Sequence, residues 1–383
     1  MPLRSLVATL SAGLAAAATT LAAAGPVQAD PPRSHACSSS VSIDGYSDAL
    51  DKTTYADTYV GNLSGLAVDR DGSLLALSDR SALFTLDRRT RAPEGVLPLA
   101  TQTGAALDSE ALAVDRDGTR LIASETEPTV RRHDRRGRIL GSLPVPDALK
   151  VAPAGRAVAN QTFEGLTLLP GGRTLLASME GTLAGDTAGV VRFQTWQRHG
   201  VTGDFRLAAQ YGYRADTGLG VVEVAGLPGG RLLVLERGFT AGVGNTVRLY
   251  SADTRRATDT GGVAVLTGQD GDRAGDRAGA GDGTGHGTGH GTGDGTGDGS
   301  GDGTGHGDGV RLVRKTLLAD LGNCPSLGAT AKQPQPNPLL DNIEGMTVTA
   351  ERPGGRLEVL LVSDDNQNPV QTTRLYSLRV RVV

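Results

Sequence analysis

Apolar residues along this chain fall in short paired runs separated by Gly-rich turns, and the pair recurs five times. The first copy runs from Ser64-Gly65-Leu66-Ala67-Val68 to Leu74–Asp79, and the second from Glu110-Ala111-Leu112-Ala113-Val114 to Leu121–Glu125. The third spans Glu164 to Glu180 and the fourth Glu223 to Glu236. The fifth opens on Glu344-Gly345-Met346, turns at Pro353-Gly354-Gly355 and closes on Ser363-Asp364-Asp365. A run, a Gly turn and a second run predict a β-hairpin. A hairpin returns the chain to its starting point, so the polar residue opening its first strand and the one closing its second share a rim. Five hairpins in one ring would aim about ten polar or acidic side chains at one mouth.

The copies begin at 64, 110, 164, 223 and 344, at spacings of 46, 54, 59 and 121 residues. Self-similarity at roughly 40 to 50 residues in a Gly-rich, all-β chain is the mark of a β-propeller. Further runs supply third strands: Ala82–Asp87, Thr129–Asp134, Val190–Thr195, Thr246–Tyr250 and Arg374–Leu378. Arg138–Leu143, Phe205–Tyr213 and Leu312–Leu318 suit outer fourth strands, and Ser39–Ile43 is placed to complete the last blade from the N-terminus. The expected fold is all-β: a single β-propeller of five four-stranded blades, its ring closed by an N-terminal strand. The long last interval leaves room for a sixth, degenerate blade.

Composition changes this picture in three places. Aromatics are only 3%, so Leu, Val and Ala must fill the blades. Residues 268–309 alternate Gly with Asp, Thr and His and hold no apolar residue larger than Ala. Such a stretch cannot bury a core and is expected to be a disordered insert. It carries eight Asp and two Arg, a net of −6 within an overall −4, so the remainder is near +2 and offers no nucleic-acid face. His286, His290 and His306 with these Asp residues admit a loose metal site, but the ordinary reading is a flexible acidic loop.

Residues 1–29 read as a secretory signal: Arg4, an apolar Leu6–Leu21 stretch and a Val27-Gln28-Ala29 cleavage site. The competing reading, a membrane anchor, is disfavoured by the interruptions Ser5, Thr9, Ser11, Gly13, Thr19 and Thr20 and by the dominance of Ala. Residues 30–383 are then expected as a secreted, extracellular, monomeric propeller with no membrane contact after cleavage. An even cysteine count in an exported chain favours a disulfide. Cys37 precedes the closing strand and Cys324 follows the preceding blade's outer strand, so a bridge would tie the two ends of the ring. Two buried free thiols are the alternative.

No nucleophile elbow, phosphate-binding loop or zinc-binding helix motif is present. His133 and His199 fall in outer-strand or loop positions, which argues against a Ser–His or Cys–His nucleophile system. What remains is carboxylates. Glu110, Glu164, Glu223 and Glu344 each open an inner strand, and Asp79, Glu125, Glu180, Glu236 and Asp364 each close the next. One or two such acids would serve as caps or as partners of Arg80 and Arg237. A whole ring must protonate, pair with Arg or share a cation. Oxygen-only ligands select a hard ion, Ca²⁺ before Mg²⁺. The expected metal ligands are Glu110, Glu164, Glu223, Glu344 and Asp364, with Asn342, Asn366 and Asn368 as neutral donors nearby.

Several blocks together resemble a known family. Asp341-Asn342-Ile343-Glu344-Gly345-Met346 and Leu361-Val362-Ser363-Asp364-Asp365-Asn366-Gln367-Asn368-Pro369 resemble the end of the phytase-like domain, the "esterase-like activity of phytase" family. Leu63-Ser64-Gly65-Leu66-Ala67, Asn160-Gln161-Thr162-Phe163-Glu164-Gly165 and Leu235-Glu236-Arg237-Gly238-Phe239 are similar to earlier blocks in family order. The resemblance implies a propeller and hydrolysis of an ester or phosphoester. On that reading Glu164 and Glu344 are catalytic, and Arg80 and Arg237 grip an anionic small-molecule substrate. Two other readings fit the same residues: a non-catalytic binding propeller with a structural cation, and a lactonase-like propeller.

Overall fold

A computed structural model of the protein describes residues 35–267 and 309–382. The signal segment, and the insert apart from Gly309, lie outside the described residues. The fold is a five-bladed β-propeller. Blade 1 is Leu63–Val68, Leu74–Ser78, Ala82–Leu86 and Pro93–Pro98. Blade 2 is Ser109–Val114, Arg120–Ser124, Thr129–His133 and Ile139–Ser142. Blade 3 is Phe163–Leu168, Thr174–Met179, Val190–Gln197 and Arg206–Arg214. Blade 4 is Gly220–Leu227, Arg231–Thr240, Gly244–Asp253 and Arg314–Asp320. Blade 5 takes Ile343–Arg352, Arg356–Ser363 and Leu375–Arg381 from the C-terminal end and Val41–Ser47 from the N-terminal end, so the ring closes as expected.

The inner strand of blade 4 packs directly on that of blade 5. The long interval therefore holds the outer strand of blade 4 and no sixth blade among the described residues. The outer strand of blade 1 escaped the sequence pattern because Pro93-Glu94-Gly95 and Pro98 break up its apolar residues.

Each interface between blades has its own core. Alternate residues of one strand serve different interfaces: Leu74 and Ala76 pack toward blade 5, whereas Leu75 and Leu77 pack toward blade 2. With both faces covered, the second strands read as continuous apolar runs rather than alternating ones. Cys37 and Cys324 are disulfide-bonded, and beside them Ser38 Oγ donates to Leu318 O at 2.6 Å, which stitches the closing strand to blade 4. Among the described residues no helix is long and apolar enough to cross a membrane.

Candidate active site at the propeller mouth

The inner strands share a local irregularity that builds the site. In blades 1, 3 and 5 the ladder skips one residue, Ser64, Glu164 and Glu344 respectively, and in blade 2 it skips Glu110 and Ala111. Each is a β-bulge, which leaves the extra residue unpaired and re-aims its side chain. The residue after the bulge in blades 1, 3 and 5 is Gly. A Cβ on Gly165 would lie 2.9 Å from Val224 N, and one on Gly345 would lie 3.0 Å from Ser64 O. The missing side chain lets neighbouring inner strands meet around the axis.

The second acid of the hairpin in blades 1, 2, 3 and 5 is anchored by one repeated hydrogen bond. The N–H groups of Asp79, Glu125, Glu180 and Asp364 donate to the carbonyls of Asn62, Asp108, Thr162 and Asn342, two residues before each bulge. Both ends of these hairpins therefore sit on the same rim, as the sequence predicts.

Blade 4 departs by one residue. Its ladder skips Val222, so Glu223 takes the place that Gly holds in blades 1, 3 and 5. Likewise Glu236 pairs with Val221, and the residue that reaches the mouth position is Arg237. This corrects the expectation that Glu223 joins the acidic ring. Its Oε1 accepts from Leu166 N at 3.1 Å and Val224 N at 2.9 Å instead, binding inner strands together. Glu236 faces a different network, with Tyr213 Oη at 2.6 Å and Lys315 Nζ at 2.6 Å. A one-residue slip reverses the face of every side chain, and the apolar pattern around Glu223 did not reveal it.

The mouth collects Asp79, Asp108, Glu110, Glu125, Glu164, Glu180, Glu344 and Asp364. Asp108, two residues before the Glu110 bulge, was missed from sequence; its only signal is its place next to the repeat. One oxygen each from Asp108, Glu110 and Glu125 lie within 4.8 Å of one another, and the same holds for Glu125, Glu164 and Glu180. Glu125 belongs to both groups. Glu344 sits across the ring, where Arg237 Nη2 donates to its Oε1 at 2.8 Å and Asn342 Nδ2 at 2.9 Å. Asp364 Oδ1 accepts from Asn366 N at 2.8 Å. Arg80 lies on the rim with its side chain 67% exposed, 3.5 Å from Asp79. Arg237 is thus the counter-charge within the ring, and Arg80 the one open to solvent.

Electrostatics follow from this imbalance. Burial, then the charges of Glu110, Glu180 and Glu125, hold the Glu164 carboxyl well above the usual range. Burial and the Glu344 charge do the same to Glu110 and Asp364. Glu180 is pushed up to about 7 by burial, against the pull of Arg237. Asp79 rises to about 6 by burial, against Arg80. Burial raises the Glu125 carboxyl too, against the pull of its contact with Glu164 and of the Thr162 N–H at 3.3 Å. Without a bound cation, burial and mutual repulsion both favour the protonated forms of these carboxyls. The donor set is oxygen only, which fits a hard divalent ion.

Residues 58–367 match the family model described as "Phytase-like: Esterase-like activity of phytase". No curated protein matches the sequence. Among solved structures the chain is similar to a glutaminyl cyclase of Myxococcus xanthus, at 13% identity over 90% of this chain and 97% of that one, TM-score 0.40. It is similar to a putative gluconolactonase at 15% identity over 83% and 74%, TM-score 0.37. It is also similar to U3-55K at 12% identity, TM-score 0.32, covering 52% of this chain and half the length of that one. Likenesses this distant carry no inference about activity.

Proposed function

This chain belongs to the phytase-like family, esterase-like activity of phytase, and we propose that it hydrolyses ester or phosphoester bonds at the propeller mouth, outside the cell, with a bound Ca²⁺. The observation that carries this reading is the crowd of carboxyls around one half-buried Arg237. Such an arrangement is unfavourable alone and favourable around a cation. Two groups of oxygens could hold the ion, Asp108, Glu110 and Glu125, or Glu125, Glu164 and Glu180. Bound there, a divalent cation supplies Lewis-acid polarisation of a carbonyl or phosphoryl oxygen and lowers the pKa of water.

The chain's own groups divide the remaining work. With the ion on Asp108, Glu110 and Glu125, Glu164 beside it is the group to take a proton from the attacking water and return it to the departing alkoxide. Glu344, held by Arg237 and Asn342, is fixed in orientation and lines the opposite side of the reaction site. Arg80, exposed on the rim, is free to meet an anionic group on the substrate.

The test is a panel of p-nitrophenyl esters, p-nitrophenyl phosphates, phytate and lactones, with Ca²⁺ and with EDTA. Turnover of esters or phosphates that EDTA abolishes, and that Glu164→Gln removes, supports the proposal. Turnover of lactones alone makes the protein a lactonase. Calcium binding by titration calorimetry without any turnover makes it a binding propeller.

A further inference from the structure

On the face of the ring away from the acidic mouth, the edge of blade 5 gathers positive charge. Blade 5 ends there in a hairpin turn at Pro353–Gly355, and three arginines meet in one cross-strand row. Arg352 is the ladder partner of Arg356, and Arg356 is the ladder partner of Arg381. Directly opposed residues of antiparallel strands present their side chains on one face. Arg379, two residues before Arg381, shares that face. All four line an open cavity of about 580 Å³, together with Ser40 and Ser42 of the N-terminal segment.

Neutralisation here is incomplete. Arg352 pairs with Glu358 at 2.8 Å and Arg379 with Asp44 at 2.8 Å. Among the described residues no carboxylate pairs with Arg356 or Arg381. Arg356 Nε donates only to Pro353 O, at 3.2 Å. Like charges directly opposed across a ladder are destabilising, so among the described residues this rung lacks a paired anion.

We propose that this cavity is a binding site for a phosphoryl oxyanion, gripped between the guanidinium groups of Arg356 and Arg381. A planar guanidinium donates two parallel hydrogen bonds to adjacent phosphoryl oxygens, a match an ammonium does not make. Opposed Cα atoms in such a ladder stand about 5 Å apart, close enough for two forks to hold one tetrahedral group. The hydroxyls of Ser40 and Ser42 add neutral donors. From Glu344 to Arg352 the inner strand runs roughly 25 Å, so this site does not hold the bond that is cut at the mouth, and it stands whether or not the mouth is hydrolytic. Free phosphate and a chain of linked phosphates share the chemistry.

Titration calorimetry of the full chain at low ionic strength tests this, with inorganic phosphate and tripolyphosphate as separate titrants. The wild type should bind, and Arg356→Gln/Arg381→Gln should lose at least tenfold in affinity while keeping any activity at the mouth. A single Arg356→Lys variant should lose affinity although its charge is kept. Tripolyphosphate binding tenfold tighter than phosphate would identify an extended ligand, and equal affinities a single phosphate; both support the site. In phosphate-free buffer the double variant should melt at or above the wild type, because repulsion is removed. Absence of binding by the wild type, or equal affinity in wild type and double variant, overturns the proposal.

Discussion

Glu180→Gln offers a test of the mouth that does not need a substrate. Glutamine has the shape of a protonated glutamic acid, so the change fixes the neutral state. Burial raises the Glu180 carboxyl from an ordinary 4.5 to about 7 in the folded protein. A group that binds its proton more tightly when folded contributes stability that is fully present below its unfolded pKa. That contribution is lost as pH rises through the folded pKa. The window here runs from about 4.5 to about 7. At about 1.4 kcal/mol per pKa unit, ionising Glu180 costs the fold about 3 kcal/mol by pH 8. In EDTA, the variant should therefore match the wild type near pH 5 and exceed it at pH 8. With about 2 °C per kcal/mol for a domain this large, the gap in melting temperature should reach about 6 °C. Saturating Ca²⁺ at pH 8 should close it from the other side, since ligand at a hundred times its Kd adds about 2.7 kcal/mol. Parallel pH profiles for the two proteins in EDTA would refute the reasoning, because Glu180 would then be ionised and satisfied by Arg237 at all pH values tested.

Three further outcomes follow from the same geometry. Arg237→Met leaves Glu344 without its charged partner and should destabilise the metal-free protein by about 3 to 5 kcal/mol at pH 8, with much of the loss recovered at pH 5; an equal loss in thermal melts at both pH values would assign Arg237 to packing alone. Gly165→Ala puts a methyl group 2.5 Å from Ser178 Oγ and 2.9 Å from Val224 N, and denaturant unfolding should show a loss of about 1 to 3 kcal/mol; an unchanged midpoint would mean that the inner strands have room to part. Cys37→Ser with Cys324→Ser opens a loop spanning 287 residues of sequence, worth about 5 to 6 kcal/mol in the chain-entropy treatment; a melt equal to that of the wild type would show that pairing of Val41–Ser47 holds the ring closed unaided.

The fold was legible because its instructions are local and repeated. Paired apolar runs and Gly turns each depend on a few adjacent residues, and five copies reinforce one another, with a Glu-Gly bulge in blades 3 and 5. The closing strand and the disulfide could be read because both ends of the ring had one vacancy each. The site was legible only in outline, for two physical reasons. Register is the first: in blade 4 the bulge falls on Val222, a residue with nothing in its type to announce it, so Glu223 turns to backbone N–H groups and Arg237 comes to the mouth. Distant partners are the second: Glu236 is satisfied by Lys315, which lies beyond the insert in sequence. The substitution of Arg for acid at this one ring position changes what the ring is. With an acid there, every member would repel every other. With Arg237 there, Glu344 has a fixed partner, and the uncompensated charge gathers around Glu125 on the blade 2 and blade 3 side. The asymmetry sets the two clusters of carboxyl oxygens, on the blade 2 and blade 3 side, apart from the carboxylate that Arg237 orients on blade 5.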